Sequence, residues 1–124
     1  MELRNLPRVF IVDRSLVVME RLATSINDVA DVIGSAANAR DAIKGIRSGN
    51  PQLAVLDIAI PNGIELLKQI KSLRPPVIVA ILTHSAEEAS RRFCQRLGAE
   101  YFLDKIYDFD KLRDIVIALG EHCR

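Results

Sequence analysis

The stretch that most constrains the fold of this chain is Leu53–Leu56, four apolar residues in a row that end at Asp57. The turn signal Asn50-Pro51 precedes this run, and a loop over residues 58–63 follows it. A short apolar run with turn signals at its ends is typical of a strand buried on both faces of a parallel sheet. Ligands and reacting groups collect beyond the carboxyl ends of such strands, so the sequence predicts a functional site at Asp57.

Similar apolar runs alternate along the chain with segments whose apolar residues recur at helical spacing. Strands are predicted over residues 8–12, 32–36, 53–57, 77–82 and 101–103. Helices are predicted from the apolar stripes Leu16–Ile26, Ala39–Ile46, Ile64–Leu73, Ala89–Leu97 and Leu112–Leu119. Five strands that alternate with five helices indicate an α/β fold, a doubly wound five-stranded parallel sheet with right-handed crossovers.

Length and composition limit the classes of function. The 124 residues fit one domain over 1–124, and the net charge of +1 gives no field that would favour nucleic acid or a membrane surface. No apolar run approaches a membrane span, so a cytoplasmic protein is expected. Cys94 and Cys123 lack the spacing of metal ligands and are predicted to be free thiols.

Four polar residues follow the predicted strands at their carboxyl ends. Asp13 follows the first strand, Asp57 the third, Thr83 the fourth and Lys105 the fifth. Two carboxylates, a hydroxyl and an ammonium suit phosphoryl transfer to a carboxylate, with one Asp as nucleophile and the other helping to hold a divalent cation. Taken singly, each Asp could merely cap the next helix and Lys105 could be solvated, but their joint occurrence favours a site.

Several short motifs surround these residues and resemble the receiver domain of two-component response regulators over essentially the whole chain. The motifs are Val12-Asp13, Leu56-Asp57 with Pro61 four residues later, Thr83, Leu97-Gly98-Ala99, and Phe102 three residues before Lys105. The resemblance implies a flavodoxin-like receiver topology.

The resemblance also implies the role of each site residue. Asp57 would be the phosphoacceptor and would receive its phosphoryl group from a histidine kinase or a phosphotransfer protein. Thr83 and Lys105 would bind the phosphoryl oxygens, and Thr83 with Phe102 would form the switch. Phosphorylation would repack the face made by the fourth helix, fifth strand and fifth helix, through which the protein signals by protein–protein contact. The chain would catalyse at most its own phosphorylation and dephosphorylation.

The expected cofactor is Mg²⁺, and one departure from the family bears on it. Where the family has a second acidic residue, this chain has Arg14 after Asp13. Loss of a carboxylate ligand should weaken Mg²⁺ binding, which the resemblance assigns to Asp13, Asp57 and the Ala59 carbonyl. In one alternative, Arg14 points to solvent and the metal still binds. In the other, the Arg14 guanidinium pairs with Asp57 and partly replaces the metal.

Two loops also depart from the family pattern. Pro61 runs directly into Asn62-Gly63, so the loop after Asp57 is shortened. Ile106 stands after Lys105 where the family usually has a proline in a cis bond. A cis bond before a residue other than proline costs about 2.5–4 kcal/mol, so a trans bond is expected, with a shifted Lys105 as one consequence.

Other polar residues near the predicted site have weaker signals. His84 is expected to shape access to the site, and the small residues Ala59 and Ser85 to leave it open to water. A basic face on the fourth helix is solvated by default but could dock an acidic protein or a second copy of the chain; it comprises Arg91, Arg92 and Arg96.

The sequence thus predicts a single-domain phosphorylation-switched receiver whose partners are a kinase and a downstream protein, without membrane or direct nucleic-acid binding. The alternative is a pseudo-receiver, an interaction module that works without phosphorylation because Arg14 occupies the site. A flavodoxin-like cofactor binder is disfavoured, since the turn Asp13–Leu16 has no glycine-rich phosphate cradle.

Overall fold

The chain forms five strands alternating with five helices in a computed structural model, which describes residues 6–84 and 88–122. Ser85 and Cys123 therefore lie outside the described residues. The elements, in chain order, are β1 (Arg8–Val12), α1 (Leu16–Ile26), β2 (Asp31–Ala36), α2 (Ala39–Gly49), β3 (Leu53–Asp57), α3 (Gly63–Lys71), β4 (Ile78–Thr83), α4 (Glu88–Arg96), β5 (Tyr101–Asp104) and α5 (Phe109–His122). The predicted alternation is confirmed.

The strands form one parallel sheet in the order β2-β1-β3-β4-β5. One core cluster packs α2, α3 and α4 against one face of the sheet. A second cluster packs α1 and α5 against the other face. Every residue of β3 is buried, as expected of a central strand covered on both faces. The doubly wound α/β prediction is confirmed.

Helix boundaries follow from local side-chain chemistry. Ser15 Oγ accepts a hydrogen bond from the Val18 amide at 3.2 Å, and Asn38 Oδ1 accepts one from the Asp41 amide at 2.8 Å. Each bond satisfies an amide that the first turn of a helix leaves without a partner. Gly98 follows α4 with a φ of 104°, the left-handed conformation in which glycine is favoured.

The buried stripes of α1 and α4 differ from the prediction. Leu16 is 65% exposed and Phe93 is 42% exposed, whereas Leu22 and Cys94 are buried. The predicted α4 stripe stepped by four residues, from Ala89 to Phe93 to Leu97, and each such step overshoots a helical turn of 3.6 residues by about 40°. Phe93 therefore lies off the buried face, whereas Leu97 follows the end of α4 and packs partly buried against the core. The side chain of Ala89 lies outside the described part.

Two glycines make room for Phe10, a buried aromatic residue of β1. A Cβ atom on Gly34 would lie 2.9 Å from Phe10 Cε2, and one on Gly45 would lie 2.7 Å from both Cε2 and Cζ of the same ring. Real Cβ atoms do not approach ring carbons so closely, since interiors are already close-packed. The ring thus fills the space between β2 and α2.

Two further sequence predictions concern the cysteines and the membrane. Cys94 is a free, buried thiol, and burial raises its pKa. Over residues 6–84 and 88–122, the chain has no helix with the length and apolarity that a membrane span requires.

Candidate functional site

The four polar residues predicted at the strand ends converge at one edge of the sheet. β1, β3, β4 and β5 are consecutive neighbours, so their carboxyl ends lie side by side. Asp13, Asp57 and Thr83 are buried there, and the Lys105 side chain is only 7% exposed. A cluster of buried polar groups needs internal partners, because burial removes water as a partner.

Lys105 links the two carboxylates. Its Nζ lies 2.6 Å from Asp13 Oδ2 and 3.0 Å from Asp57 Oδ2. Asp13 Oδ2 and Asp57 Oδ2 thus lie close together, because both contact the same ammonium nitrogen. Two carboxylates and one ammonium leave a formal excess of one negative charge in the pocket.

The remaining carboxylate oxygens are held by main-chain amides two residues further along the chain. Asp13 Oδ1 accepts a hydrogen bond from the Ser15 amide at 2.9 Å, and Asp57 Oδ1 accepts one from the Ala59 amide at 3.0 Å. Each bond fixes the direction of its carboxylate. Although Asp13 Oδ2 pairs ionically with Lys105, this buried oxygen lacks a hydrogen bond of normal geometry among the described residues.

The carboxylate oxygens of this pocket are suitable ligands for a hard cation such as Mg²⁺. The excess negative charge and the incompletely satisfied Asp13 Oδ2 are both features that a cation would compensate, and Mg²⁺ prefers oxygen ligands. The described residues contain no group of three or more His, Cys, Asp or Glu side chains arranged to hold a metal. A cation here would therefore need oxygens besides Asp13 and Asp57, such as the predicted Ala59 carbonyl and water.

Thr83 and Lys105 are joined through the main chain. Thr83 ends β4 opposite Asp104 of β5, and the Lys105 amide donates to the Thr83 carbonyl at 2.9 Å. This bond extends the ladder between β4 and β5 by one residue. It anchors the start of the lysine side chain beside the threonine.

Phe102, the predicted aromatic switch, is buried in β5 and contacts α4. The Arg91 guanidinium carbon lies 5.5 Å from the centre of the Phe102 ring, within the range of a cation–π interaction. Arg91 itself is exposed. The sequence analysis identified both residues but not their contact, because nothing in the sequence sets the side-chain direction of Arg91.

Arg14 lies at the surface, beside the buried Asp13. Within the part of the chain that the structure describes, neither a hydrogen bond nor an ion pair joins Arg14 to Asp57, which pairs with Lys105. The cis peptide bond among these residues is Arg74–Pro75, so the Lys105–Ile106 bond is trans as expected.

The shortened loop after Asp57 folds tightly. The Gly63 amide donates to the Ile60 carbonyl at 3.0 Å, and Asn62 has a φ of 62°. A Cβ atom on Gly63 would lie 2.3 Å from the Ile58 carbonyl oxygen, so glycine is required for this close approach. In this conformation of the loop, the Ala59 amide donates a hydrogen bond to the Asp57 carboxylate.

The peripheral residues that the sequence singled out lie at the surface. His84 is exposed at the end of β4, and Arg92 and Arg96 are exposed on α4. The sequence analysis missed Asp104 and Asp108, whose carboxylates bind main-chain amides of the loop that carries Lys105. In the sequence, the one indication of this role is that an Asp stands on either side of Lys105, at a spacing that resembles that of helix-capping residues.

Comparisons with known proteins agree with this geometry. The family profile of the response regulator receiver domain matches residues 9–117. A protein-glutamate methylesterase/protein-glutamine glutaminase of Clostridium acetobutylicum is 32% identical over 89% of this chain and 34% of its own length. The chain thus spans about a third of that relative, and the match concerns the receiver part rather than an esterase.

Two solved structures extend the comparison. The response regulator domain of Thermotoga maritima CheB has 26% identity and a TM-score of 0.80, over 95% of this chain and 96% of that one. CheY in the CheX–CheY–BeF3–Mg²⁺ complex of Borrelia burgdorferi has 25% identity and a TM-score of 0.81, over 90% of this chain and 87% of that one. The chain belongs to the response regulator receiver domains of two-component signalling systems.

Proposed function

We propose that this protein is a phosphorylation-switched receiver in which Asp57 accepts a phosphoryl group from a phosphohistidine of a histidine kinase or phosphotransfer protein. The observation that supports this most directly is the buried contact of Lys105 Nζ with both Asp13 and Asp57. An ammonium in this position can neutralise charge that develops on a transferred phosphoryl group.

The proposed reaction transfers one phosphoryl group between two protein side chains. A carboxylate oxygen of Asp57 attacks phosphorus, a P–O bond forms, and the P–N bond to the donor imidazole breaks. The electron pair of that bond returns to the imidazole nitrogen, which takes up a proton. Asp57 carries an acyl phosphate after this step, and the Thr83 hydroxyl and Lys105 ammonium are proposed to bind its oxygens.

Mg²⁺ is part of this proposal, with Asp13, Asp57 and the Ala59 carbonyl as its protein ligands. When bound, it would supply positive charge to the phosphoryl oxygens. The hydrogen bonds from the Ser15 and Ala59 amides orient the carboxylates of Asp13 and Asp57, which would hold the ion. The structural similarity to the CheX–CheY–BeF3–Mg²⁺ complex, which contains Mg²⁺ and a partner protein, supports this part of the proposal.

The proposed output is a change on the face made by α4, β5 and α5. Phe102 contacts Arg91 of α4, so a movement of the ring would displace a charged side chain on the exposed side of that helix. Arg91, Arg92 and Arg96 give this helix a basic surface, which fits an acidic protein partner or, as a second possibility, a homodimer. The cytoplasmic location stays a prediction.

Phosphorylation with acetyl phosphate tests the proposal. The purified chain is treated with and without Mg²⁺, and intact mass is measured together with Asp57→Ala and the surface control Asp31→Ala. We expect a magnesium-dependent gain of one phosphoryl group in the native chain and in Asp31→Ala, and no gain in Asp57→Ala.

The other outcomes are equally informative. A gain without metal that disappears in Arg14→Gln would identify Arg14 as the substitute cation. The absence of any gain, with a phosphotransfer protein as well as with acetyl phosphate, would overturn the proposal in favour of the pseudo-receiver that works without phosphorylation.

A further inference from the structure

The loop between β5 and α5 holds itself in place with two carboxylates on either side of Lys105. Asp104 Oδ1 accepts hydrogen bonds from the Ile106 amide at 2.7 Å and from the Tyr107 amide at 3.2 Å. Such a bond to the amide two residues on is an Asx turn, which fixes the direction of the chain around the intervening residue. That intervening residue is Lys105.

Asp108 closes the loop from its other end. Its Oδ2 accepts a hydrogen bond from the Asp104 amide at 2.8 Å, while its own amide donates to the Asp104 carbonyl at 3.1 Å. The Asp104 amide holds the pKa of the Asp108 carboxyl below its usual range. Within residues 104–108, the Asp108 carboxylate thus holds the Asp104 amide, and the Asp104 carboxylate holds the amides of Ile106 and Tyr107.

Apolar packing does not hold this loop. Ile106 is 64% exposed and Tyr107 is 81% exposed, so burial of their side chains contributes little. Ile106 has an amide that needs an acceptor, which Asp104 provides. Hydrogen bonds accepted by the carboxylates of Asp104 and Asp108, with the bond from the Lys105 amide to the Thr83 carbonyl, thus restrain the main chain of this segment, beside the ion pairs of the Lys105 side chain.

A lysine needs such restraints to act at a defined point. Its ammonium is carried on a flexible four-carbon stem, which has considerable rotamer entropy to lose. At this site the ammonium must meet two buried carboxylates at 2.6 and 3.0 Å. A main chain that shifts at residue 105 moves the start of the stem, and the side chain must then adopt a different, less favourable arrangement to keep its distances to Asp13 and Asp57.

We propose that Asp104 and Asp108 are positioning residues that set Lys105 against Asp13 and Asp57. They act through the loop main chain and touch none of the reacting atoms. The proposal deepens the proposed function, because Lys105 is the residue that would bind the phosphoryl oxygens. Its central claim concerns the unphosphorylated protein and can be tested there.

The first experiment observes the Lys105 ammonium by proton–nitrogen NMR, with Lys105→Met identifying the resonance. A buried, ion-paired ammonium exchanges its protons slowly and resonates apart from solvated lysines. We expect this signal in the native chain and in Asp104→Asn, which keeps the acceptor oxygen. We expect it to be lost or moved to the solvated position in Asp104→Ala. Asp110→Ala is the matched control, since Asp110 is an exposed acidic residue of α5.

A structural role in capping α5 alone would lower stability without moving the ammonium signal. An unshifted Lys105 resonance in folded Asp104→Ala and Asp108→Ala would therefore overturn the proposal. Because this readout needs no phosphoryl donor, it decides the matter even if Asp57 is never phosphorylated.

The second experiment is a double-mutant cycle on the rate of phosphorylation by acetyl phosphate. Small misplacements of a positioned group cost up to about a hundredfold in rate, so we expect Asp104→Ala to slow the reaction by about tenfold to a hundredfold. Asp104→Asn should restore most of the rate. In a Lys105→Met background, Asp104→Ala should have no further effect, and an undiminished effect there would contradict action through Lys105.

Discussion

The Arg91 guanidinium carbon lies 5.5 Å from the centre of the Phe102 ring, so an exposed cation of α4 covers the buried aromatic residue of β5. Cation–π contacts at partly exposed sites contribute about 0.5–1 kcal/mol. A contact of this size is small against the whole fold. If the ring switches between two positions, as the proposed function requires, a contact of this size would change their ratio by a factor of about two to five.

The first prediction concerns this contact. Arg91→Met should shift the ring resonances of Phe102 in the unphosphorylated protein, because the ring loses the cation that covers it. Arg91→Lys should shift them less, since it keeps the charge. NMR of the labelled ring measures both. Arg96→Met serves as the control on the same helix, and equal shifts from Arg91→Met and Arg96→Met would contradict a specific contact.

The second prediction concerns the metal. Arg14→Asp should tighten Mg²⁺ binding, because it removes a positive charge and adds a carboxylate next to Asp13, and Mg²⁺ prefers oxygen ligands. Calorimetric titration with MgCl₂ measures the affinity. Arg14→Gln separates the loss of positive charge from the gain of a carboxylate. If Arg14→Asp binds Mg²⁺ no more tightly than Arg14→Gln does, residue 14 does not reach the ion.

The third prediction concerns the packing of Phe10. Glycine to alanine in a helix usually stabilises by about 0.5–1 kcal/mol, but a Cβ atom on Gly45 would lie 2.7 Å from the Phe10 ring. Overpacking of this kind costs about 1–3 kcal/mol, so Gly45→Ala should lower the free energy of unfolding by roughly 1 kcal/mol. Urea denaturation measures it.

Gly120 provides the matched control for that experiment. A Cβ atom there would lie 3.5 Å from Pro7 Cδ, an ordinary contact, so Gly120→Ala should be neutral or stabilising. The double variant Gly45→Ala/Phe10→Leu should lose less free energy of unfolding than the sum of the losses in the two single variants, because the smaller side chain makes room for the new Cβ atom. Additive losses would mean that the ring is not the obstacle.

The fourth prediction concerns pH. Hydrogen bonds from Arg113 at 2.6 and 2.7 Å lower the pKa of Asp28 from 3.8 to about 2. A carboxyl with a depressed folded-state pKa stabilises the fold above its unfolded pKa, and this contribution is lost as the pH falls through the folded value. The difference in urea midpoint between the native chain and Asp28→Asn should therefore shrink as the pH falls from about 4 to about 2.

Salt provides a second check on the same pair. Asp28 and Arg113 meet at the surface, so added salt should reduce the difference at neutral pH by screening. Asp31→Asn, at another exposed Asp, is the control for a change of charge away from Arg113. If the difference in urea midpoint between the native chain and Asp28→Asn does not change with pH, the ion pair of Asp28 with Arg113 is not its cause.

Much of the fold follows from the sequence because its signals are local or periodic. The run Leu53–Leu56 could only be covered on both faces, and the structure buries all of β3 through Asp57. Strand ends in a parallel sheet share one edge, so the meeting of Asp13, Asp57 and Lys105 followed from their positions in the chain. The caps at Ser15 and Asn38 are likewise local chemistry.

The rest depended on side-chain direction in three dimensions. The sequence placed Phe93 on the buried face of α4, but the short helix presents Cys94 to the sheet. The Arg91–Phe102 contact joins two elements whose mutual orientation no local pattern encodes. The hydrogen bonds of Asp104 and Asp108 were missed because Asp is common in loops and only its geometry distinguishes a turn-forming carboxylate from a solvated one.

The ion pairs of Lys105 join residues that the ribosome adds near the beginning, the middle and the end of the chain. Asp57 and Lys105 are 48 positions apart, and Asp13 is more distant still. A chain that ends before Lys105 lacks the ammonium, so Asp13 and Asp57 have lost the ionic partner that they share in the complete fold. The proposed phosphoacceptor site is thus completed only with the last strand, and a partly made or partly unfolded chain should be unable to report a signal.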